Sequence, residues 1–111
     1  MARKPTEPNW LQCRFAWFLV SLGIGAEAVR RAGYARANPR DYGSKLVRKP
    51  HVLILALRLD ERRRLAADAV KSLSNSIKAV IDNRRVSPEQ QEELVRHYER
   101  LGSLPHGHPS T

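Results

Sequence analysis

The chain has a single cysteine, Cys13, in 111 residues, which excludes an internal disulfide framework and any zinc site built from several cysteines. It has no Gly-x-x-x-x-Gly-Lys loop, the backbone cradle that holds nucleotide phosphates in a large class of ATPases. Its longest near-apolar run, Phe15 to Ala26, is too short to cross a bilayer and lacks the small-residue cleavage site of a secretion signal. Neither membrane insertion nor secretion is expected. Acidic residues are scarce: 11 Asp and Glu stand against 20 Lys and Arg, a formal charge of +9. The expected partner is therefore a polyanion, and the expected surroundings are soluble and reducing. Apolar residues make up 41% of the chain, an ordinary globular share that argues for a folded protein. A chain this short buries a limited core, so oligomerisation is a natural supplement.

The positive charge is unevenly spread. Residues 1–50 carry ten basic and three acidic side chains, a balance of +7, whereas residues 51–111 carry ten basic and eight acidic, a balance of +2. A merely solvated surface mixes the two signs, as the second half does. The first half is thus the part expected to meet the polyanion, with nucleic acid ahead of an anionic membrane.

Local signals divide the chain into helices. After a Pro-containing arm (Met1–Pro8), Asn9 and Gln12 form a capping-box pattern, and apolar residues at 11, 15, 18, 19 and 22 follow at helical spacing. A first helix is expected over about 10–22, ended by Gly23 and Gly25. A second runs from Ala26 to Ala32 and stops at Gly33. Asn38-Pro39-Arg40-Asp41 starts a third, with Asn as cap and Pro at the first helical position, ending near Val47. Three short helices, the last two joined by a Gly-containing turn, match a helix-turn-helix. From His51 to about Ile81 there is no Pro or Gly, and Leu55, Leu59, Ala66, Ala69, Leu73, Ile77 and Val80 recur on one helical face. One continuous helix here would have ~30 residues and a length of ~45 Å. It could not bury its stripe against so small a head, which argues for subunit contacts. Ser87-Pro88-Glu89-Gln90 caps a last helix to Leu101, with Leu94, Val95, Tyr98 and Leu101 as its apolar face. An all-α protein follows, with a helix-turn-helix domain over 9–50, a long antiparallel helical hairpin for oligomerisation over 51–102, and a mobile tail over 103–111.

In a helix-turn-helix the second helix of the motif enters the major groove. On the third helix here, Leu46, Val47 and either Tyr42 or Pro39 face inward by spacing, which leaves Arg40, Asp41, Ser44, Lys45 and Arg48 outward and Arg36 in the turn. Arg40, Ser44 and Arg48 stand four residues apart and share one stripe. Arginine pairs bidentately with guanine or phosphate, while Ser and Lys chiefly position the backbone. Catalytic groups do not assemble. Cys13 lies on an aromatic-rich helix with no nearby His and reads as a buried, inert thiol. His106 and His108 are two ligands in a tail, too few for a metal site. Glu89, Glu92, Glu93 and Glu99 with Arg96 and Arg100 read as surface pairing along one helix. Arg62-Arg63-Arg64 fits a channel lining, an inter-subunit pairing with Asp60, Glu61 and Asp68, or plain solvation equally well.

The residues Phe15-x-x-Phe18-Leu19, Ala28-Val29-Arg30-Arg31-Ala32-Gly33-Tyr34-Ala35 and Tyr42-Gly43-Ser44-Lys45-Leu46-Val47-x-x-Pro50-x-Val52 together resemble the small subunit of bacteriophage terminases. The resemblance covers about residues 15–57. Two helix starts differ from the family's pattern: its Asn-Ala-Thr before the second helix is Gly25-Ala26-Glu27 here, which weakens the start of that helix, and its Ser-Pro-x-Thr before the third is Ala35-Arg36-Ala37-Asn38. The resemblance implies a non-enzymatic subunit, without cofactor or metal, that recognises double-stranded viral DNA in the cytoplasm of the infected bacterium. It would deliver that DNA to the large terminase subunit, which carries the ATPase and nuclease, to start genome packaging. It also implies a homo-oligomeric ring of roughly eight to twelve copies, closed by a heterologous interface. Arg30, Arg31, Arg36, Arg40, Ser44, Lys45 and Arg48 are the expected DNA contacts. Tyr34 and Trp17 are expected in the core and Gly33 at a positive φ. Rival readings are a dimeric helix-turn-helix transcription regulator and a structural adaptor that binds protein.

Overall fold

The structure, a computed structural model, describes residues 9–35, 37–63, 67–83 and 85–102. The arm, the tail with His106 and His108, Arg36, Arg64 and Ala66 lie outside the described residues. Six helices and no strand are found among those described: α1 (Trp10–Leu22), α2 (Gly25–Ala32), α3 (Pro39–Val47), α4 (Pro50–Arg63), α5 (Ala67–Val80) and α6 (Pro88–Gly102).

The capping chemistry sets most of these boundaries. Asn9 and Gln12 exchange both hydrogen bonds of a capping box, at 2.8 and 3.0 Å, and Ser87 and Gln90 do the same at 3.1 Å. Asn38 accepts from the Asp41 amide at 3.2 Å, with Pro39 opening α3. Gly23 and Gly33 end α1 and α2 at φ of 77° and 109°. The start of α2 has no capping side chain, since Ile24 holds the cap position, as the departure at Gly25-Ala26-Glu27 suggested.

The long helix expected over 51–81 is instead two helices. A straight continuation would carry Ser76 ~39 Å along the axis from Pro50, yet Ser72, Asn75 and Ser76 line one cavity with Val47 and Arg48 at the end of α3. The chain therefore turns back between α4 and α5. The third member of this layer, α6, runs parallel to α4: Arg58 pairs with Glu93 and Glu61 with Arg96, a constant offset along both helices. α5 lies between them in sequence, returns to the end of α3 through Ser72, Asn75 and Ser76, and meets α6 where Lys78 lies over the Tyr98 ring at 5.9 Å.

This reversal removes the reason for expecting the apolar stripe to seek a partner chain. Ala69, Leu73, Ile77 and Val80 are buried inside the single chain, in one cluster with Phe15, Leu19, Val29, Leu46 and Leu57. α4 sits at the centre, with Val52, Leu53, Ile54, Ala56, Leu57 and Asp60 all buried, while Leu55 and Leu59 are only partly so. On α6 the buried face is Leu94, His97 and Leu101, and the expected members Val95 and Tyr98 are exposed at 37% and 36%. The stripe is rotated because His97, a polar residue, occupies the seam.

α3 crosses the first turn of α2 at Gly43. A Cβ there would lie 3.0 Å from the Gly25 carbonyl oxygen, 3.1 Å from its carbon and 3.3 Å from Val29 Cγ2. Two of these atoms are backbone and cannot swing aside. Gly43→Ala is expected to destabilise the protein by about 1–3 kcal/mol. Gly25→Ala, where nothing lies within 4 Å of the added carbon, is expected to change stability far less. Chemical denaturation of the two variants checks the ordering.

Candidate nucleic-acid interface

The surface of α3 follows from its wheel. Gly43, Leu46 and Val47 are buried, Pro39 and Tyr42 are half-buried, and Arg40, Asp41, Ser44, Lys45 and Arg48 are exposed. Ser44 Oγ donates to the Arg40 carbonyl at 3.3 Å, which holds the hydroxyl against its own helix between the two arginines. Lys45 pairs with Asp41 at 3.2 Å, both side chains well exposed, so that contact adds little stability and is free to exchange. Arg40 and Arg48 have no carboxylate partner among the described residues. Tyr34 and Tyr42 meet edge to face at 5.0 Å and 64°, fastening the α2–α3 connection to α3. Tyr34 is thus partly buried against the core, in the structural role expected of it.

Arg40, Ser44 and Arg48 are brought together on one stripe. Arg30 and Arg31 are exposed at the opposite end of α2 from the Gly25–Gly43 crossing, and Arg30 reaches Glu27 at 3.5 Å. Arg36 lies outside the described residues.

Other basic residues are structural, and their local sequence gives no sign of it. Arg14 Nε donates to the Ala32 carbonyl and Nη2 to the Arg31 carbonyl, both at 3.0 Å. It thereby caps the last turn of α2 while its guanidinium lies 5.0 Å from the Trp10 ring and 5.5 Å from Phe18. Arg58 forms two 2.7 Å bonds to Glu93. Arg100 donates to Asp60 Oδ2 and the Leu57 carbonyl at 3.3 Å and to His97 Nδ1 at 3.1 Å. Glu93, Arg96 and Arg100 are therefore cross-helix ties between α4 and α6, and the surface pairing expected along α6 is corrected accordingly. Two further expectations are overturned. Cys13 is exposed, because it shares the outward face of α1 with Trp10 and Trp17, three residues before it and four after, while Phe15, Ala16, Leu19 and Val20 take the buried face. Trp17 is 39% exposed and lies under Arg63 at 5.9 Å, so it covers the outer end of α4 rather than filling the core.

His97 is fully buried. Since Nδ1 accepts from Arg100, Nε2 carries the proton and donates to Glu93 Oε2 at 3.2 Å. Burial, reinforced by Arg100 and Arg96 and opposed by Glu93 and Glu61, holds its pKa below the usual 6.5. Both ring nitrogens are engaged, which suits a neutral structural bridge. Arg58 holds the Glu93 carboxyl down at about 2. No group of three or more His, Cys, Asp or Glu among the described residues is placed to hold a metal, and no described helix is long and apolar enough to cross a membrane.

These shifts set the acid response. His97 and His51, also lowered by burial, gain protons more readily unfolded than folded, so stability falls as pH drops below about 6.5. Glu93 stays ionised when folded but protonates near 4.5 when unfolded, so its contribution is complete above that pH and is lost between there and about 2. Thermal melts across pH are expected to descend in two stages. His97→Gln is expected to flatten the first and Arg58→Ala the second. An unchanged first descent in His97→Gln would assign it to His51 alone.

No protein-family model, curated protein or solved structure matches this chain, so its function is argued from the site itself.

Proposed function

We propose that the protein is a non-enzymatic double-stranded DNA-recognition subunit of the terminase small-subunit type, which marks a viral genome and hands it to a large subunit with ATPase and nuclease activity. The observation that carries this reading is the stripe Arg40, Ser44 and Arg48, exposed on a helix whose opposite side is locked to α2 at Gly43. The reading takes α2 and α3, joined past Gly33 and crossing at Gly43, as a helix-turn-helix, whose second helix presents such a stripe to the major groove. Two free guanidiniums at that spacing reach phosphates on either side of the groove or a guanine within it. Arg30 and Arg31 add positive potential beyond the stripe, and Lys45 joins it once released from Asp41.

Assembly into a ring of roughly eight to twelve copies belongs to the same proposal, and it would multiply weak contacts without strong base readout in any one copy. Its support is the exposed apolar surface: Trp10 and Trp17 on α1, and Val95 and Tyr98 on α6. These are two unlike patches, as a head-to-tail contact requires. A two-fold dimer uses one patch against itself and would favour a transcription regulator instead.

Titrating duplex binding against salt is expected to give a log–log slope that becomes shallower by about 2 in Arg40→Ala/Arg48→Ala, one unit for each phosphate contact removed, with the oligomer mass unchanged. Absence of duplex binding at low salt overturns the proposal. Native mass spectrometry showing a dimer moves the reading to a regulator.

A further inference from the structure

The Arg40–Ser44–Arg48 stripe is bordered by a second helix. A groove runs between α3 and α5, made of two cavities that share Ser44, Val47 and Ser72. The smaller, about 190 Å³, has Arg48 and Ser44 on one wall and Ser72 and Asn75 on the other. The larger, about 320 Å³, extends past Arg40 toward Gly25. Among the described residues no carboxylate lines either one, whereas the cavities beside α6 are lined by Glu89, Glu92, Glu93 and Glu99. Ser76 Oγ donates to the Ser72 carbonyl at 2.8 Å, whereas the Ser72 hydroxyl and the Asn75 side-chain amide have no hydrogen-bond partner among the described residues. Asn75 is exposed one turn after the exposed Lys71 on α5, while Lys78 places its ammonium over the Tyr98 ring of α6 at 5.9 Å. Asp68, one turn before Ser72, lies outside the lining.

A helix with its side chains is about 10–12 Å across and the major groove of B-DNA about 12 Å wide, so only one of two adjacent helices can enter. With α3 in the groove, α5 stays outside it, on the side that Arg48 and Ser44 share with Ser72 and Asn75. We infer that α5 is a second half of the DNA interface, with Ser72, Asn75 and Lys71 holding a phosphodiester of the strand that borders the groove and Arg48 reaching the same strand from α3. This rests on the DNA-binding reading above. Neutral donors and a lysine suit phosphate, which fixes register and carries no sequence information. The contact is therefore independent of the base sequence beneath it.

The test uses the full chain and a fluorescent random-sequence duplex, with binding followed by anisotropy across salt concentrations. Asn75→Asp, nearly isosteric and on the surface, is expected to weaken binding by about fivefold through one charge at contact distance. Asn75→Lys is expected to tighten binding and steepen the salt slope by about 0.9, one added phosphate contact. Gln91→Glu places the same negative charge on α6 and is expected to leave affinity unchanged. Thermal melts confirm that each variant is folded. If the unaltered protein binds duplex while both Asn75 variants stay within about twofold of it, the α5 contact is overturned and the DNA-binding reading stands. A loss in Gln91→Glu equal to that in Asn75→Asp reduces the effect to net charge and overturns it equally. If the unaltered protein ignores duplex at low salt, both readings fall together.

Discussion

The fold depends on burying α4 on nearly every side. A helix whose Val52, Leu53, Ile54, Ala56 and Leu57 are all covered needs neighbours all round, and a chain of this size supplies them only by folding back on itself. α1 and α3 cover it from the N-terminal side, and α5 and α6 complete the wall. The same burial encloses Asp60, which is fully buried and would be strongly destabilising without a cation. Arg100 of α6 supplies that cation, and through His97 and Glu93 it joins Arg58 back on α4. The parallel register of α4 and α6 is thus the arrangement that brings a cation to Asp60, through its Oδ2, while Oδ1 stays buried without a hydrogen-bond partner among the described residues.

Helix ends were legible in the sequence because their causes are local. Asn9 with Gln12, Asn38 with Pro39, and Ser87 with Gln90 act within one turn, and each appears in the structure as its pattern implies. The reversal between α4 and α5 was not legible, since no Pro or Gly marks it and the apolar spacing runs on through it. Periodicity reports which face is apolar and is silent on whether the axis is straight. The rotated face of α6 failed for a related reason: His97 counts as polar in any pattern, yet its two nitrogens are matched across the seam and it packs as core. Cys13 and Trp17 were assigned inward by residue type, whereas their positions on α1 set them outward.

The stripe on α3 was legible because four-residue spacing fixes a face, and Leu46 and Val47 fix which side is inward. The groove beside it was not, because it joins residues about thirty apart in sequence through the unforeseen return of α5.

The gross charge of +9 overstates what is available to a partner. Arg14, Arg58, Arg96 and Arg100 hold helices together, and a ligand competing for them would unpick the fold. What remains is sorted by location. The α3–α5 side presents Arg40 and Arg48 on cavities that no carboxylate lines among the described residues, while the outer side of α6 carries acidic residues. On the proposed DNA-binding reading, attraction at the α3–α5 groove and repulsion at the acidic face of α6 would orient a duplex before any base is touched. In the proposed packaging role this asymmetry would present DNA in a fixed direction with little sequence readout, and it depends on where the return of α5 places its polar face.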